Sequence, residues 1–269
     1  MIAAQEKDVL KILGYLKKGI QDCIYMYIDI KKYGLKNSAM KVWYDNDENG
    51  QLNIVVMKYH TSISLYSNED DRDLKGVIEL IKEYSPNSIS AKKVFIEKIY
   101  FEMADVYDVM YGHILQLVKY PDFKKDYIVE TAQDKDMLEI AKLVVSDVQI
   151  GAYYDVNDLA EQFKERRHSG MGRNYIIREN GRIVGHIATY AELDNIAVAS
   201  GLIADPSYEG RLLLGPILEG YMIREMHKEG YTLFGFVTPR RSKMLVKYGN
   251  KFVSEYGKLS KDAQTISAL

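Results

Sequence analysis

The segment from Asn195 to Gly230 decides the fold of this chain, and it reads NIAVASGLIA, DPSYEGR and LLLGPILEGYMIREMHKEG. An apolar run, Ile196–Ala204, is followed by a turn rich in Asp, Pro and Gly and then by a long amphipathic run. This pattern predicts a strand, a tight turn and a helix. A helix that begins directly after a strand offers unpaired backbone N–H groups and a positive dipole end, which together favour an anion such as a phosphate.

The amino-acid composition excludes several classes of function. The chain has 269 residues with 47% hydrophobic content, enough for a sizeable core in one large or two smaller domains. Its 36 Lys and Arg residues nearly balance 38 Asp and Glu residues, and neither half is basic, so no nucleic-acid footprint is visible. The single cysteine, Cys23, excludes an internal disulfide and a thiolate metal cage. With neither a signal peptide nor a membrane-spanning apolar run, we expect a cytoplasmic protein that binds no nucleic acid and no membrane.

The best candidate for a linker is Tyr120–Asp126, which reads YPDFKKD. A proline, several charges and a drop in apolar density coincide there. We therefore predict a domain boundary near residue 122, with an N-terminal domain over residues 1–122 and a C-terminal domain over residues 123–269.

Apolar periodicity and turn residues predict the elements of the first half. These are one or two helices within residues 5–34, strands at Met40–Tyr44, Leu52–Met57 and Ser62–Tyr66, helices at Asp70–Tyr84 and Ser90–Glu102, and a strand-like run at Val106–Tyr120.

The same signals predict the second half. These are a strand at Tyr127–Thr131, helices at Asp134–Asp147 and Val156–Ser169, a hairpin of Asn174–Arg178 and Ile183–Tyr190, the strand Ile196–Ala204, a helix at Leu213–Lys228, a strand at Tyr231–Val237, a helix at Arg240–Tyr248 and a last strand at Lys251–Tyr256.

Hairpins followed by a strand–helix–strand crossover predict a mixed sheet in each half. The fold class is therefore α+β. Because the two halves share their general order of elements, an internal duplication is expected from that order alone. No residue-level repeat supports it.

Four runs of the second half carry a resemblance to a known family. They are DLAEQFKER at Asp158–Arg166, GRNYIIR at Gly172–Arg178, GHIATYAE at Gly185–Glu192, and Ile196–Arg211. With this element order, they resemble the GNAT-type N-acetyltransferases, especially bacterial members in which a degenerate N-terminal copy precedes the transferase domain. The resemblance covers about residues 126–255 and is only architectural before that. It implies two GNAT-like domains, each a mixed, mostly antiparallel sheet flanked by helices.

The resemblance also implies acetyl-CoA as cosubstrate. In that family the strand matching Ser200–Ala204 splays from its neighbour and binds the pantetheine arm, and a glycine-rich turn wraps the pyrophosphate with backbone N–H groups. The implied coenzyme-binding residues are Leu202, Ile203, Gly210, Arg211, Leu212, Leu213, Leu214, Gly215 and Thr238.

The pyrophosphate turn departs from the family pattern. Glu209 occupies a place expected to be basic or amide, and Leu212 and Leu214 occupy places expected to be small. Since Gly215-Pro216 can open a helix, the helix is expected to begin later than usual, with a shifted group of N–H donors at Leu213 to Gly215. The expectation depends on exposed amide hydrogens at residues 210–215 that point together toward an anion.

Acetyl transfer needs a neutral amine, a polarised thioester carbonyl and aligned reactants. Glu192 or Asp194, at the turn before the central strand, is the candidate general base acting through water. The family place of a tyrosine that protonates the leaving thiolate falls on Leu245 or Val246, and Tyr248 is the nearest candidate acid. Thr238 stands where the family often has an asparagine.

Each of the other notable polar residues could have a structural role or a functional one. His186, inside a strand, is expected to be a satisfied core or cleft histidine, and Tyr190 either lines the acceptor pocket or packs. The pair Arg240-Arg241 either contacts coenzyme phosphate or is ordinary surface charge. No metal site is expected, because His60 and His113 lack a third ligand at suitable spacing.

These observations lead to an acetyl-CoA-dependent N-acetyltransferase as the expected function. The acceptor is a small-molecule amine or a protein N-terminus, and the oligomeric state is open. The alternative is a catalytically inactive binding or regulatory module on the same scaffold, which the altered turn and the missing tyrosine favour.

Overall fold

The computed structural model describes residues 1–120, 127–147 and 155–261. Contacts between Cα atoms divide the chain into two compact units. Among the described residues, unit 1 comprises Met1–Ile114 and residues 253–261, and unit 2 comprises those within Leu115–Phe252. The predicted boundary at residue 122 lies outside the described residues and stays a prediction.

Unit 1 contains a pair of helices, an antiparallel run of strands and a strand–helix–strand crossover. Its elements are β1 (Ile2–Ala3), α1 (Val9–Leu16), α2 (Ile24–Tyr33), β2 (Met40–Asn46), β3 (Leu52–Tyr59), β4 (Ser62–Tyr66), α3 (Lys75–Tyr84), β5 (Ser88–Lys92), α4 (Lys93–Met103) and most of β6 (Asp108–Leu117).

Unit 2 contains the same kinds of element in its turn. They are β7 (Val129–Thr131), α5 (Met137–Val145), α6 (Val156–His168), β8 (Asn174–Glu179), β9 (Arg182–Thr189), β10 (Ile196–Ala204), α7 (Arg211–Lys228), β11 (Thr232–Val237) and α8 (Pro239–Lys247). The chain then enters β12 (Lys251–Ser260), most of which belongs to unit 1.

The two halves repeat one order of elements: a strand, two helices, three strands, a helix, a strand, a helix and a strand. The repeat extends to the first turn after each opening strand. The amide of Gln5 donates to Asp8 at 2.9 Å, and that of Gln133 donates to Asp136 at 2.8 Å. The expectation of two domains of one fold is therefore confirmed at the level of architecture.

Each unit has a mixed, mostly antiparallel sheet. In unit 1 the strand order is β1-β2-β3-β4-β5-β12-β6; β4 pairs with β5 in parallel, whereas β2 with β3, β3 with β4 and β5 with β12 are antiparallel. In unit 2 the order is β11-β10-β9-β8-β7, and β10 with β11 is the recorded parallel pair. Helices flank both sheets, so the predicted α+β class is confirmed.

Two apolar clusters cover the sheet of unit 2. One cluster joins α7 and α8 to the sheet through Leu214, Leu218 and Leu245. The other joins α5 and α6 to it through Ile140 and Phe163. We call these the α7 cluster and the α6 cluster, and they lie on opposite faces because residues alternate between faces along a strand.

Local sequence explains where two of the helices begin. The carboxylate of Asp155 accepts hydrogen bonds from the amides of Asn157 and Asp158, and so caps α6. Thr238 caps α8 by accepting a bond from the amide of Arg241 at 3.3 Å, and Pro239 occupies the first helical position.

The prediction of one helix over Ser90–Glu102 is wrong in its first residues. Ser88–Lys92 is a strand, β5, and the helix begins at Lys93. Ile89 and Ala91 are buried and alternate with exposed or half-buried residues, which is the period of a strand. This strand pairs with β4 and with the distant β12, and a sequence window holds no information on such pairing.

None of the helices in the part of the chain that the structure describes is long and apolar enough to cross a membrane.

The α6 cluster offers a direct test of the fold. Phe163 is fully buried, with its ring centroid 5.8 Å from His186 and 6.2 Å from Tyr190, whereas Phe101 is 90% exposed. Phe163→Ala is expected to lower the free energy of unfolding by about 3–5 kcal/mol, because it removes apolar burial and leaves a cavity. Phe101→Ala, the control, should change it by less than about 0.5 kcal/mol. Urea unfolding measures both, and equal effects would contradict this packing.

Candidate functional site

The central feature of unit 2 is the separation of β10 from β11. The two strands pair in parallel from Ile196 opposite Thr232 to Ala199 opposite Gly235, and the recorded ladder stops there. Yet β10 continues through Ala204 and β11 through Val237. On the side that faces β11, the backbone groups of Ser200–Ala204 therefore have no ladder partner, which leaves a row of donors and acceptors for an extended ligand.

A bulge in β10 coincides with this separation. Ser200 pairs with Ala188 of β9, but the next recorded pair is Ile203 with His186, so two residues of β10 stand opposite one of β9. Gly201 has φ +65°, which a residue with a side chain adopts only with strain. A Cβ atom there would also lie 2.8 Å from the phenolic oxygen of Tyr190.

His186 fixes this bulge from beneath. It is fully buried, its Nδ1 lies 2.9 Å from the carbonyl oxygen of Gly201, and its Nε2 lies 2.8 Å from Oδ1 of Asn174. Burial lowers the pKa of His186 from 6.5 to about 4, so the ring is neutral at pH 7. Since a carbonyl oxygen only accepts, Nδ1 carries the proton. Nε2 then accepts a hydrogen bond from the side-chain NH2 of Asn174, with the amide oxygen and nitrogen of Asn174 exchanged. His186 is thus the satisfied core histidine that its position suggests.

The start of α7 differs from the predicted phosphate turn. The helix begins at Arg211, so the expected later start is wrong. The amide of Arg211 donates to the carbonyl of Tyr208 at 3.1 Å, and the amide of Leu213 donates to that of Gly210 at 3.1 Å. Two of the amide hydrogens expected to face an anion are therefore used inside the turn.

The reason lies in the turn itself. Asp205 accepts from the amide of Ser207 at 2.8 Å and closes a tight turn that feeds directly into the helix. Pro216 is the sixth residue of α7, beyond the first turn, so it does not set the start. A Cβ atom on Gly210 would lie 2.6 Å from the hydroxyl of Tyr127, which shows how closely aromatic rings cover this glycine.

The other residues predicted at the coenzyme site fall into two groups. Leu212 is 83% exposed, whereas Leu214 is fully buried in the α7 cluster. Leu202 packs toward α7, where a Cβ atom on Gly215 would lie 3.5 Å from it, and Ile203 is buried in the α6 cluster. Only the backbone of these β10 residues thus lies along the separated edge, and their coenzyme roles stay predictions.

Glu192 is the core of a buried ion pair. Its side chain is 3% exposed, its Oε2 lies 2.7 Å from Nη2 of Arg173, and the hydroxyl of Thr189 donates to Oε1. Arg173 also binds Glu229 at 2.6 Å. The hydrogen bond to Glu229 raises the pKa of Arg173, and Arg173 lowers the pKa of Glu229. Because both oxygens of Glu192 are engaged, a role as base requires release from Arg173 or Thr189, and that role stays a prediction.

The candidate acid, Tyr248, stands at the end of α8. Its ring packs on Tyr120 with centroids 5.3 Å apart. Nine helical residues span about 13 Å, so Tyr248 lies at the end of α8 away from Val237. Leu245, at the family place, is fully buried, and Thr238 is the helix cap. Asp194, the alternative base, is exposed with φ +53°.

One buried ion pair of unit 2 is not predicted by the sequence. Glu219 of α7 is 5% exposed and lies 2.6 Å from Arg241 of α8. Its Oε2 has no hydrogen-bond partner among the described residues, and burial raises its pKa. Arg241 is thereby used to join two helices, which bears on its predicted role toward phosphate. Glu219 and Arg241 lie on different helices and meet only when α7 and α8 pack together. A local sequence pattern therefore cannot predict this ion pair.

Within residues 1–120, 127–147 and 155–261, no group of three or more His, Cys, Asp or Glu side chains could hold a metal ion.

The matching position of unit 1 is rich in acidic residues. The crossover from β4 to α3 carries Glu69, Asp70, Asp71 and Asp73 just before the helix. Acidic side chains at a helix start are favourable for the helix. Glu69, Asp70 and Asp71 are each paired with a cation, Arg72, Lys92 and Lys98 respectively.

Several solved structures similar to this chain are GNAT-family proteins. A GCN5-related N-acetyltransferase from Sphaerobacter thermophilus has a TM-score of 0.64 and 11% identity, over 96% of this chain and 93% of its own. A GNAT-family acetyltransferase from Colwellia psychrerythraea has a TM-score of 0.61 and 10% identity, over 96% and 98%. A tandem GNAT protein from the clavulanic acid biosynthesis pathway has a TM-score of 0.58 and 12% identity, over 96% of each chain.

At these identities the likeness establishes the fold: this chain has the GNAT fold. The structural part of the resemblance seen in the sequence is thereby confirmed, whereas the degenerate character of the first copy stays a prediction. No known family model matches the sequence, and no curated protein sequence matches it.

The buried His186 predicts a pH dependence of stability. Its folded pKa of about 4 lies below 6.5, so the unfolded chain binds more protons between these values. The stabilisation is complete above pH 6.5 and is lost as the pH falls toward 4. Between pH 7 and pH 5 the free energy of unfolding should fall by about 2 kcal/mol more in the native protein than in His186→Gln.

Urea titrations at the two pH values measure this difference. His60→Gln is the control, since His60 is exposed, and it should keep the native pH dependence. An identical pH dependence in the native protein and His186→Gln would refute the neutral, buried histidine.

Proposed function

We propose that this protein is an acetyl-CoA-dependent N-acetyltransferase that acts on a primary amine. The observation that carries the proposal is the separation of β10 from β11 after Ala199, with the bulge at Gly201. An extended chain with alternating amide donors and acceptors, such as the pantetheine arm, is complementary to a strand edge of this kind. The GNAT fold of the chain supports the same reading.

The backbone of β10 would supply the main catalytic effect. We expect an amide N–H of β10, at Leu202 or Ile203, to polarise the thioester carbonyl as negative charge develops on its oxygen. The neutral amine nitrogen attacks the carbonyl carbon, an N–C bond forms and the C–S bond breaks with its electron pair on sulfur. The proton lost by nitrogen ends on sulfur, which gives an amide and a free thiol.

The phosphate end of the coenzyme has less support. The amides of Arg211 and Leu213 are already used, and Leu214 belongs to the core. In this conformation the start of α7 does not fit a pyrophosphate wrapped by successive N–H groups. We therefore infer that the pantetheine and acetyl groups supply most of the binding free energy.

Unit 1 is proposed as a non-catalytic copy. Its β4–α3 crossover is acidic, and the fully buried ring of Tyr66 occupies the end of β4. Both features disfavour an anionic coenzyme there.

Calorimetric titration with acetyl-CoA and with CoA tests the proposal, with two matched variants. Gly201→Ala introduces a Cβ at positive φ against Tyr190, whereas Gly181→Ala does so in a hairpin turn with nothing within 4 Å. Each should cost about 1 kcal/mol of stability. Only Gly201→Ala should weaken acetyl-CoA binding, by roughly tenfold, since it distorts the strand edge.

Two results would count against the proposal. Native protein that binds no acetyl-CoA at millimolar concentration would exclude the coenzyme site. Binding without acetylation of any amine would favour the inactive binding module instead.

A separate test follows from the inference that the pantetheine and acetyl groups supply most of the binding free energy of acetyl-CoA. S-acetylpantetheine lacks the pyrophosphate and nucleotide, yet it should bind within roughly tenfold of acetyl-CoA, because the α7 turn contributes little. Its affinity should also depend weakly on salt, since few charges are involved. A loss of a thousandfold or more would show that the α7 turn rearranges to bind phosphate.

A further inference from the structure

Arg166 of α6 has a buried guanidinium nitrogen without a partner. Its Nη1 is buried and has no hydrogen bond to any described residue, and its Nη2 makes only a long bond of 3.4 Å to Gln162. The guanidinium carbon lies 4.5 Å from the ring centroid of Tyr190 and 6.0 Å from that of Phe163. The cation thus lies over two aromatic rings, while its Nη1 donor is left without a partner.

Two other arginines of unit 2, by contrast, are paired with carboxylates. Arg167, the next residue, lies 2.8 Å from Asp134, and Arg178 lies 3.0 Å from Asp136. No ion pair of Arg166 is recorded among the described residues. A buried donor of a charged group without a partner is costly, and a ligand that supplies an acceptor oxygen would remove this cost.

The position of Arg166 connects it to the proposed reaction centre. Its guanidinium stacks on Tyr190, and the hydroxyl of that ring lies against Gly201, the bulged residue of β10. Tyr190 and Phe163 belong to the α6 cluster, whereas α7, with its phosphate turn, packs on the other face of the sheet. Donor and acceptor would therefore reach the separated edge of β10 from opposite faces, with Arg166 on the acceptor's face.

We infer that the acceptor is a small primary amine that carries a carboxylate, and that Arg166 binds this carboxylate. The inference rests on the proposed function and adds the class of acceptor. A carboxylate is the planar acceptor that matches a guanidinium with free N–H donors. The nearby positive charge also disfavours an ammonium group, so it helps to keep the attacking amine neutral. This second effect matters because the carboxylate of Glu192 is held by Arg173.

The test compares three forms of one acceptor at saturating acetyl-CoA. Glycine, glycinamide and methylamine form one set, and L-phenylalanine, L-phenylalaninamide and 2-phenylethylamine form another. In at least one set, the native protein should prefer the acid over both forms without a carboxylate by roughly tenfold or more in kcat/KM. Because the amide's amine deprotonates more readily than the acid's, such a preference cannot arise from amine protonation.

Variants of α6 assign the preference to one side chain. Arg166→Met should raise KM for the acid and bring the three forms to similar kcat/KM, because the side chain that distinguishes the acid is lost. Arg166→Lys should restore part of the preference. Arg167→Met, the matched control, removes a cation already paired with Asp134 and should leave the preference unchanged.

Three outcomes would overturn the inference. The first is equal use of the three forms by the native protein, and the second is a preference that survives Arg166→Met. The third applies if no turnover is seen: CoA-saturated protein then binds N-acetylglycine no more tightly than N-methylacetamide. Acetyl-CoA binding, measured separately, distinguishes these outcomes from failure of the proposed function. Native protein that binds acetyl-CoA but does not discriminate among the acceptors loses only the role of Arg166.

Discussion

One hydrogen bond, from Nδ1 of His186 to the carbonyl of Gly201, holds the feature on which unit 2 depends. A central strand normally pairs on both sides along its length, and β10 does so only as far as Ala199. The bulge keeps its second half paired with β9 through Ile203 and Ala204, although one residue is inserted. The bulge therefore accounts for the separation of β10 from β11. A buried, neutral histidine is suited to this task because it supplies one directed donor and no charge.

Charge in unit 2 is arranged around this strand rather than spread over a surface. Arg173 joins Glu192 before β10 to Glu229 after α7, and Arg241 joins α8 to Glu219. These pairs connect the loops and helices that border both ends of β10 and β11. They fix the frame around the separated edge, while the edge itself consists of backbone. Such a site depends on strand geometry more than on the identity of any acidic or basic side chain.

Much of the architecture could be predicted from the sequence, because apolar periodicity and turn glycines are local signals. The hairpin at Asn180-Gly181 and the crossover through Ile196–Ala204 are examples. β5 was missed since its five residues gain their strand character from β4 and β12. The start of α7 was misplaced because an Asp205 turn, and not Pro216, determines it.

The candidate site was less predictable than the fold. The position of β10 and the burial of His186 follow from local pattern, but the partners of Glu192 and the isolation of Arg166 follow from tertiary packing. Leu214 illustrates the difference: in sequence it stands in a phosphate turn, and in the structure it is a core residue. A carboxylate at a turn looks alike in sequence whether it is solvated, catalytic or paired.

The last strand of the second copy, β12, lies between β5 and β6 of unit 1. During synthesis on a ribosome, β5 and β6 emerge long before the strand that separates them. Unit 1, although first in the chain, therefore cannot complete its sheet until all of unit 2 has been made. Until then two strand edges await a partner, and any edge-binding chaperone or premature pairing of β5 with β6 would act in that interval. The sheet of the unit that is translated first is therefore completed last.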